Sequence, residues 1–210
     1  MDVGIIGAGH IGATVAKLFM RAGHRVTIGN SRGPMSLQAL VEELGEGASA
    51  AEVVEVADGA DLVLIAIPLR AYRDLPAEPF GGTIVVDAMN YYPARDGHVS
   101  ELDEDLVTSS ELLARHLPDA RIVKAFNTMY WETLRDGGRP DLPREQRLAI
   151  FVAGDDHDAA GVVAELIEQV GFAAVLTGDL ASGGRRQQPG APGYGKDLTA
   201  AQAAEVLTQG

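Results

Sequence analysis

Six residues near the start of the chain, Gly7-Ala8-Gly9-His10-Ile11-Gly12, have the types and spacing to cradle a pyrophosphate. Gly7 permits a tight turn. Gly9 lets a phosphate approach the backbone with no side chain in the way, and Gly12 lets a helix pack closely on a strand. Residues 3–6 before them read as an apolar strand. Residues 10–21 after them read as an amphipathic helix with Ile11, Val15, Leu18 and Phe19 on one face. In that order, the helix turns its free N–H groups and positive dipole end toward the ligand. The chemistry indicated is dinucleotide binding.

A second polar group follows residues 25–28, the next strand: Gly29-Asn30-Ser31-Arg32-Gly33-Pro34. A site for NAD places Asp or Glu here to bond the ribose 2′-hydroxyl. This chain has no carboxylate there. Arg32 instead offers a permanently charged planar fork to a 2′-phosphate, and Ser31 adds a hydroxyl. The loop therefore points to NADP(H). Two further groups sit where strands should end. Ile67, Pro68 and Leu69 follow the long apolar run 61–67, and Met89 and Asn90 follow the run 83–87. In an open α/β sheet such loops border the crevice where ligands bind. Ile67, Pro68 and Leu69 are expected on the nicotinamide side, and Met89 and Asn90 in the substrate pocket.

The remaining reactive residues are sparse. With no cysteine, disulfides, thiolate catalysis and Cys-ligated metal are excluded. His10, His24, His98, His116 and His157 are scattered without ligand spacing, so no metal is expected. Asp155 and Asp156 read as a helix cap. No Tyr-x-x-x-Lys acid stands out. Hydride transfer between two bound cofactors needs chiefly stacking geometry, with reacting carbons about 3–3.5 Å apart, whereas reducing a carbonyl or imine needs a positioned acid. Tyr91, Tyr92 and Tyr130 are the candidates for that role. A net charge of −13 argues against nucleic acid and anionic membranes as partners. No apolar run approaches the ~20 residues of a membrane span. The chain starts at its first strand without a signal peptide, so a cytoplasmic protein is expected. Arginine outnumbers lysine 14 to 3, in keeping with a GC-rich bacterial genome.

The elements that position these residues alternate strand and helix. Ser36 should cap a helix to Leu44, 47–50 a short third strand, and 53–57 one helical turn. Residues 61–67 are apolar without alternation, as in a parallel strand covered on both faces. Residues 83–87 are a fifth strand. Residues 91–107 are polar with little periodicity and read as a loop. Thr108 and Glu111 form a capping box. Residues 121–126, 148–153 and 172–177 read as three more strands. A helix opening at Asp155 or Asp156 carries an apolar stripe of Ala159, Val162, Val163, Leu166, Ile167 and Val170. Residues 182–195, rich in Gly, Pro and Gln, are expected to lack regular structure, and 199–207 to form a last helix. The whole predicts an α/β, doubly wound Rossmann fold. Its mostly parallel sheet has about eight strands, in the order 3-2-1-4-5 and continuing outward. Residues 1–180 form the NADP-binding domain and 181–210 a short C-terminal tail, a dimer contact or active-site cover.

Together the glycine motif, Gly29-Asn30-Ser31-Arg32, the run 61–68, Val123-Lys124-Ala125-Phe126-Asn127-Thr128 and Val152-Ala153-Gly154-Asp155-Asp156 resemble the NADPH-dependent deazaflavin reductases, the coenzyme F420-dependent NADP oxidoreductases. The resemblance covers roughly residues 2–178. Metalloreductase reductase domains and pyrroline-carboxylate reductase-like enzymes share much of the pattern. By that resemblance Gly7, Gly9, His10, Ile11 and Gly12 hold the pyrophosphate. Asn30, Ser31 and Arg32 serve the 2′-phosphate end. Ile67 and Pro68 lie against the nicotinamide, and Asn127 and Thr128 line the second substrate's pocket. It implies transfer of the pro-S hydride between NADPH and F420, a related deazaflavin or a flavin, and a homodimer. The chain departs from the family in carrying Asn127 where characterised members have His, and in its tail. A small-molecule imine or carbonyl reductase and a non-catalytic NADPH sensor are the other readings.

Overall fold

The computed structural model describes residues 1–208 as one eight-stranded sheet flanked by helices. The strands are β1 (Asp2–Ile6), β2 (Arg25–Gly29), β3 (Ala48–Ala50), β4 (Leu62–Ile65), β5 (Ile84–Asp87), β6 (Arg121–Lys124), β7 (Ala149–Gly154) and β8 (Ala173–Gly178). Their order is β3-β2-β1-β4-β5-β6-β7-β8. All pairs are parallel except β6–β7. The helices are α1 (His10–Arg21), α2 (Gln38–Leu44), α3 (Pro93–Asp96), α4 (Ser100–Asp103), α5 (Ser109–His116), α6 (Trp131–Asp136), α7 (His157–Gln169), α8 (Ser182–Arg185) and α9 (Ala200–Thr208). This is the doubly wound α/β fold expected from the sequence. Residues 209 and 210, the end of the expected tail, lie outside the described residues.

The apolar run of β4 explains why the sheet is buried on both faces. Leu62 and Leu64 join one core layer, with Val15 and Phe19 of α1 and Val163 and Ile167 of α7. Val63 and Ile65 point the other way, to Leu112 and Leu113 of α5. Strand alternation sends successive side chains to opposite faces. A strand covered on both must therefore be apolar at every position. Gly4 in β1 has no room for more: a Cβ there would lie 2.6 Å from the Val56 carbonyl oxygen.

Local signals of the sequence recur as hydrogen bonds. The Thr108 hydroxyl accepts from the Glu111 N–H, and the Glu111 carboxylate accepts from the Thr108 N–H at 2.7 Å, the capping box of α5. Asp156, not Asp155, caps α7 by accepting from the Ala159 N–H. Asp155 instead accepts from the Leu180 N–H and ties down the start of the tail.

Several expectations are corrected. Ser36 does not cap a helix: residues 34–37 form a 3-10 turn, and the Ser36 hydroxyl bonds Asn30 and the Gly33 carbonyl. Residues 53–57 hold a single helical turn, closed by the Val56 N–H donating to the Glu52 carbonyl at 3.2 Å, that does not propagate into a helix. The stretch 91–107 contains the short helices α3 and α4, because Tyr92 and Val99 each enter a single helical turn from extended backbone. β4 stops at Ile65 and β6 at Lys124, short of the expected ends. Residues 182–195 begin with α8, where the Asp179 carboxylate accepts from the Ser182 N–H and hydroxyl and so closes one helical turn.

Candidate functional site

The glycine loop lies where β1 ends, and each glycine has its own geometric reason. Gly7 has φ +106°, and its N–H donates to the Gly29 carbonyl at 2.8 Å. A Cβ at Gly7 would sit 2.3 Å from the Ala66 oxygen, and one at Gly12 would sit 1.9 Å from the Gly7 oxygen. Gly9 is different, with no atom beyond its own chain neighbours within 4 Å of its Cβ position. It precedes α1, which has neither a side-chain cap nor an acid in its first turn. The first N–H groups of α1 therefore stay free for an anion.

Asn30 builds the neighbouring loop. It is 9% exposed, and its carboxamide oxygen accepts from the Arg32 N–H at 2.8 Å. That turn leaves Arg32 exposed, and none of the ion pairs among the described residues involves its guanidinium. Gly7, Gly9, Asn30, Ser31, Arg32 and Pro68 lie on one cavity of about 540 Å³. A second cavity of about 330 Å³ adjoins it and shares Gly9, Ala66, Ile67 and Pro68 with it. His10, Ile11, Met89, Asn90 and Asn127 line this second cavity.

Gly12, buried beneath the Gly7 carbonyl, lines neither cavity, and two predicted site side chains point elsewhere. Leu69 is 2% exposed and packs into the core layer of α5, because the chain turns into a 3-10 helix directly after Pro68. Thr128 is buried, and its carbonyl accepts from the Gly195 N–H. Neither reaches the cavity lining. Tyr91 is also absent from it: its hydroxyl bonds the Asp103 carboxylate at 2.6 Å and the Gly97 carbonyl. Tyr92 and Tyr130 do line the cavity.

Lining residues that went unseen in the sequence include Arg95, Phe126, Trp131 and Tyr194. Trp131 stacks on His10, with ring centroids 4.7 Å apart and planes 15° from parallel, and the Arg135 guanidinium lies 5.1 Å from the indole. His10 therefore meets the second cavity with its ring and the glycine loop with its backbone. Phe126 has φ +61°, a conformation a bulky side chain rarely adopts, and such strain clusters at functional sites. Tyr194 comes from the tail. Its hydroxyl bonds that of Tyr92 and accepts from the Asn90 amide at 3.2 Å. Burial, reinforced by the Tyr92 hydrogen bond, pushes the Tyr194 phenol well above its ordinary pKa, so it stays protonated.

Beneath the pocket lies a buried ion pair. Lys124, 1% exposed, donates to the Asp87 carboxylate at 3.1 Å and to the Met89 carbonyl. Asp87 also accepts from the Ser110 hydroxyl at 2.6 Å and the Met89 N–H at 2.8 Å. The pair fixes the backbone that delivers Met89 and Asn90. A polar residue ending each of two adjacent apolar strands was the available signal.

A family model described as NADP oxidoreductase, coenzyme F420-dependent, matches residues 2–91. A hypothetical protein from Sinorhizobium meliloti is 36% identical, with 95% of each chain covered and a TM-score of 0.81. A candidate F420-dependent NADP reductase from Arthrobacter sp. FB24 is 26% identical over all of this chain and 90% of that one, with a TM-score of 0.72. Residues 2–91 therefore belong to the coenzyme F420-dependent NADP oxidoreductase family. The oxidoreductase is also 28% identical over 182 residues to the metalloreductase STEAP3 of Rattus norvegicus. That match covers 86% of the oxidoreductase chain and 34% of STEAP3, so the chain spans about a third of that relative's length. No helix among the described residues is long and apolar enough to cross a membrane.

Proposed function

We propose that this NADP-dependent oxidoreductase carries a hydride between NADPH and a flat deazaflavin of the coenzyme F420 class. One observation carries the reading: two cavities meet at Ile67 and Pro68, one edged by the glycine loop and Arg32, the other rimmed by aromatic rings. The residues fit the dinucleotide. The space beyond Gly9 is clear of protein atoms, and the adjoining helix terminus is uncapped. Bound NADPH supplies the hydride. The chain's own work is to hold two rings face to face, which is how positioning lowers such a barrier. Gly7, Gly9, His10, Ile11 and Gly12 take the pyrophosphate, and Ser31 and Arg32 the 2′-phosphate. Ile67 and Pro68 flank the nicotinamide, and Met89, Asn90 and Asn127 border the acceptor. Asn127 brings a buried carboxamide oxygen without a hydrogen-bond partner to that wall. The reading takes residues 1–180 as the NADP-binding unit and the tail from residue 181 as its cover. It takes the active form as a cytoplasmic homodimer.

A second reading, reduction of a small imine or carbonyl compound, gains from the paired Tyr92 and Tyr194 hydroxyls, which such a reaction would use as its acid. One assay separates the two. Purified protein and NADPH are mixed with deazaflavin, FMN, riboflavin or a panel of imines and ketones, and absorbance is followed at 340 nm. Oxidation with deazaflavin is the expected result. Oxidation only with the panel establishes the second reading. Tight NADPH binding with no oxidation anywhere marks a sensor.

Arg32 decides between the nucleotides. Arg32→Glu places a carboxylate where the 2′-phosphate would sit, so it should raise the Michaelis constant for NADPH about a hundredfold, ~2.8 kcal/mol, and change that for NADH little. Equal changes for both would remove Arg32 from the site.

A further inference from the structure

We propose that Tyr92, aimed by Tyr194 of the tail, donates a hydrogen bond to the second substrate and during turnover a proton. This rests on the functional reading above. The direction of the donor chain follows from counting hydrogens. The Asn90 amide nitrogen has two, one on the Asn127 carbonyl at 2.8 Å and one on the Tyr194 oxygen at 3.2 Å. Its oxygen accepts from the Asn127 amide at 3.0 Å, whose other hydrogen goes to the Gln187 carbonyl at 2.7 Å. Both carboxamides are thereby fixed in orientation. Tyr194 receives a hydrogen bond from Asn90 and has no acceptor for its own hydrogen among the described residues except the Tyr92 oxygen, while the exposed Tyr92 hydroxyl can donate outward, so the arrangement that satisfies both hydroxyls has Tyr194 donating to Tyr92. The Tyr92 hydrogen is left without a protein acceptor, on a side chain that lines the cavity.

The Tyr92 ring is held in place. The Arg95 guanidinium lies 4.9 Å from its centroid and donates to the Asn90 carbonyl at 2.6 Å. Tyr92 is also 37% exposed, so water reaches it. The substrate class that fits accepts a hydride at carbon and a proton at a conjugated ring nitrogen or a carbonyl oxygen. A deazaflavin is of this kind. In the forward step the new C–H bond takes the hydride's electron pair, and the displaced pair settles on the heteroatom. The Tyr92 O–H bond breaks as the heteroatom–H bond forms. Water then returns a proton to Tyr92. The balance is NADPH, acceptor and one proton giving NADP+ and the dihydro acceptor.

Tyr92→Phe and Tyr194→Phe test this in the full chain. Turnover with NADPH and deazaflavin and calorimetric binding of oxidised deazaflavin to the NADP+-loaded protein are both measured. Tyr92→Phe should lower kcat about a hundredfold and weaken acceptor binding, with NADPH affinity unchanged. Tyr194→Phe should lower kcat about tenfold, because Tyr92 keeps its hydroxyl but loses its aim. A clasp between tail and loop would raise KM and lower stability while sparing kcat. Wild-type turnover with kcat kept in Tyr92→Phe overturns the proposal and leaves the functional reading standing. Wild type that binds deazaflavin without turnover overturns that reading, and the binding loss in Tyr92→Phe then decides the hydrogen bond. Wild type that does neither overturns both.

Discussion

Gly9→Ala should leave the fold standing and weaken NADPH binding about a hundredfold, ~2.8 kcal/mol at 1.4 kcal/mol per factor of ten. The contrast with its neighbours makes this informative. Gly7 and Gly12 are glycines for the protein's own sake, since a methyl group at either would drive into a backbone carbonyl oxygen. Gly9 has φ −75° and ψ −172°, which alanine adopts freely, and no protein atom lies near the added carbon. As an N-cap, alanine costs about 1 kcal/mol or less. Nothing in the packing requires glycine at this position, so the requirement comes from what approaches the loop. Thermal unfolding should shift by a few degrees at most, and calorimetry should record the affinity loss. Unchanged affinity in a folded Gly9→Ala protein would mean that the pyrophosphate does not lie over this residue.

Lys124→Met should cost about 3–5 kcal/mol of stability, the scale for removing one partner of a buried ion pair. The loss comes from Asp87, left charged at 0% exposure with only the Ser110 hydroxyl and Met89 N–H as donors. Adding Asp87→Asn removes that charge and should restore at least about 1 kcal/mol. The double variant should still raise the acceptor KM, since the Met89 carbonyl loses its donor and the segment carrying Asn90 loosens. Urea unfolding midpoints give the first quantity. A single-variant loss below about 1 kcal/mol would show that the pair contributes little to folding.

How much of this was readable in the sequence follows how local each signal is. Gly7, Gly9 and Gly12 are close neighbours, and their spacing alone carries their geometry. Thr108 and Glu111 meet across one helical turn, so the cap was readable too. The apolar runs of β4 and β5 report burial, and two-sided burial implies parallel neighbours. Tyr194 is another matter: it reaches Tyr92 across 102 positions through a segment without periodicity. Lys124 and Asp87 lie 37 residues apart and become partners only through the β5–β6 register. Leu69 and Thr128 failed because a strand's end does not reveal which way the next turn rolls its side chain. One buries its side chain in the core, and the other lends its carbonyl to the tail.

The stacked rings of His10 and Trp131 give this chain an optical property. Trp131 is its only tryptophan, so all indole emission arises at the wall of the second cavity, with an imidazole from the glycine loop against its face. A dinucleotide that shifts His10, or a flat ring that slides along Trp131, changes the surroundings of that one emitter. Titrations of either ligand can then be followed by intrinsic fluorescence, without a label and without competing signal from the rest of the fold.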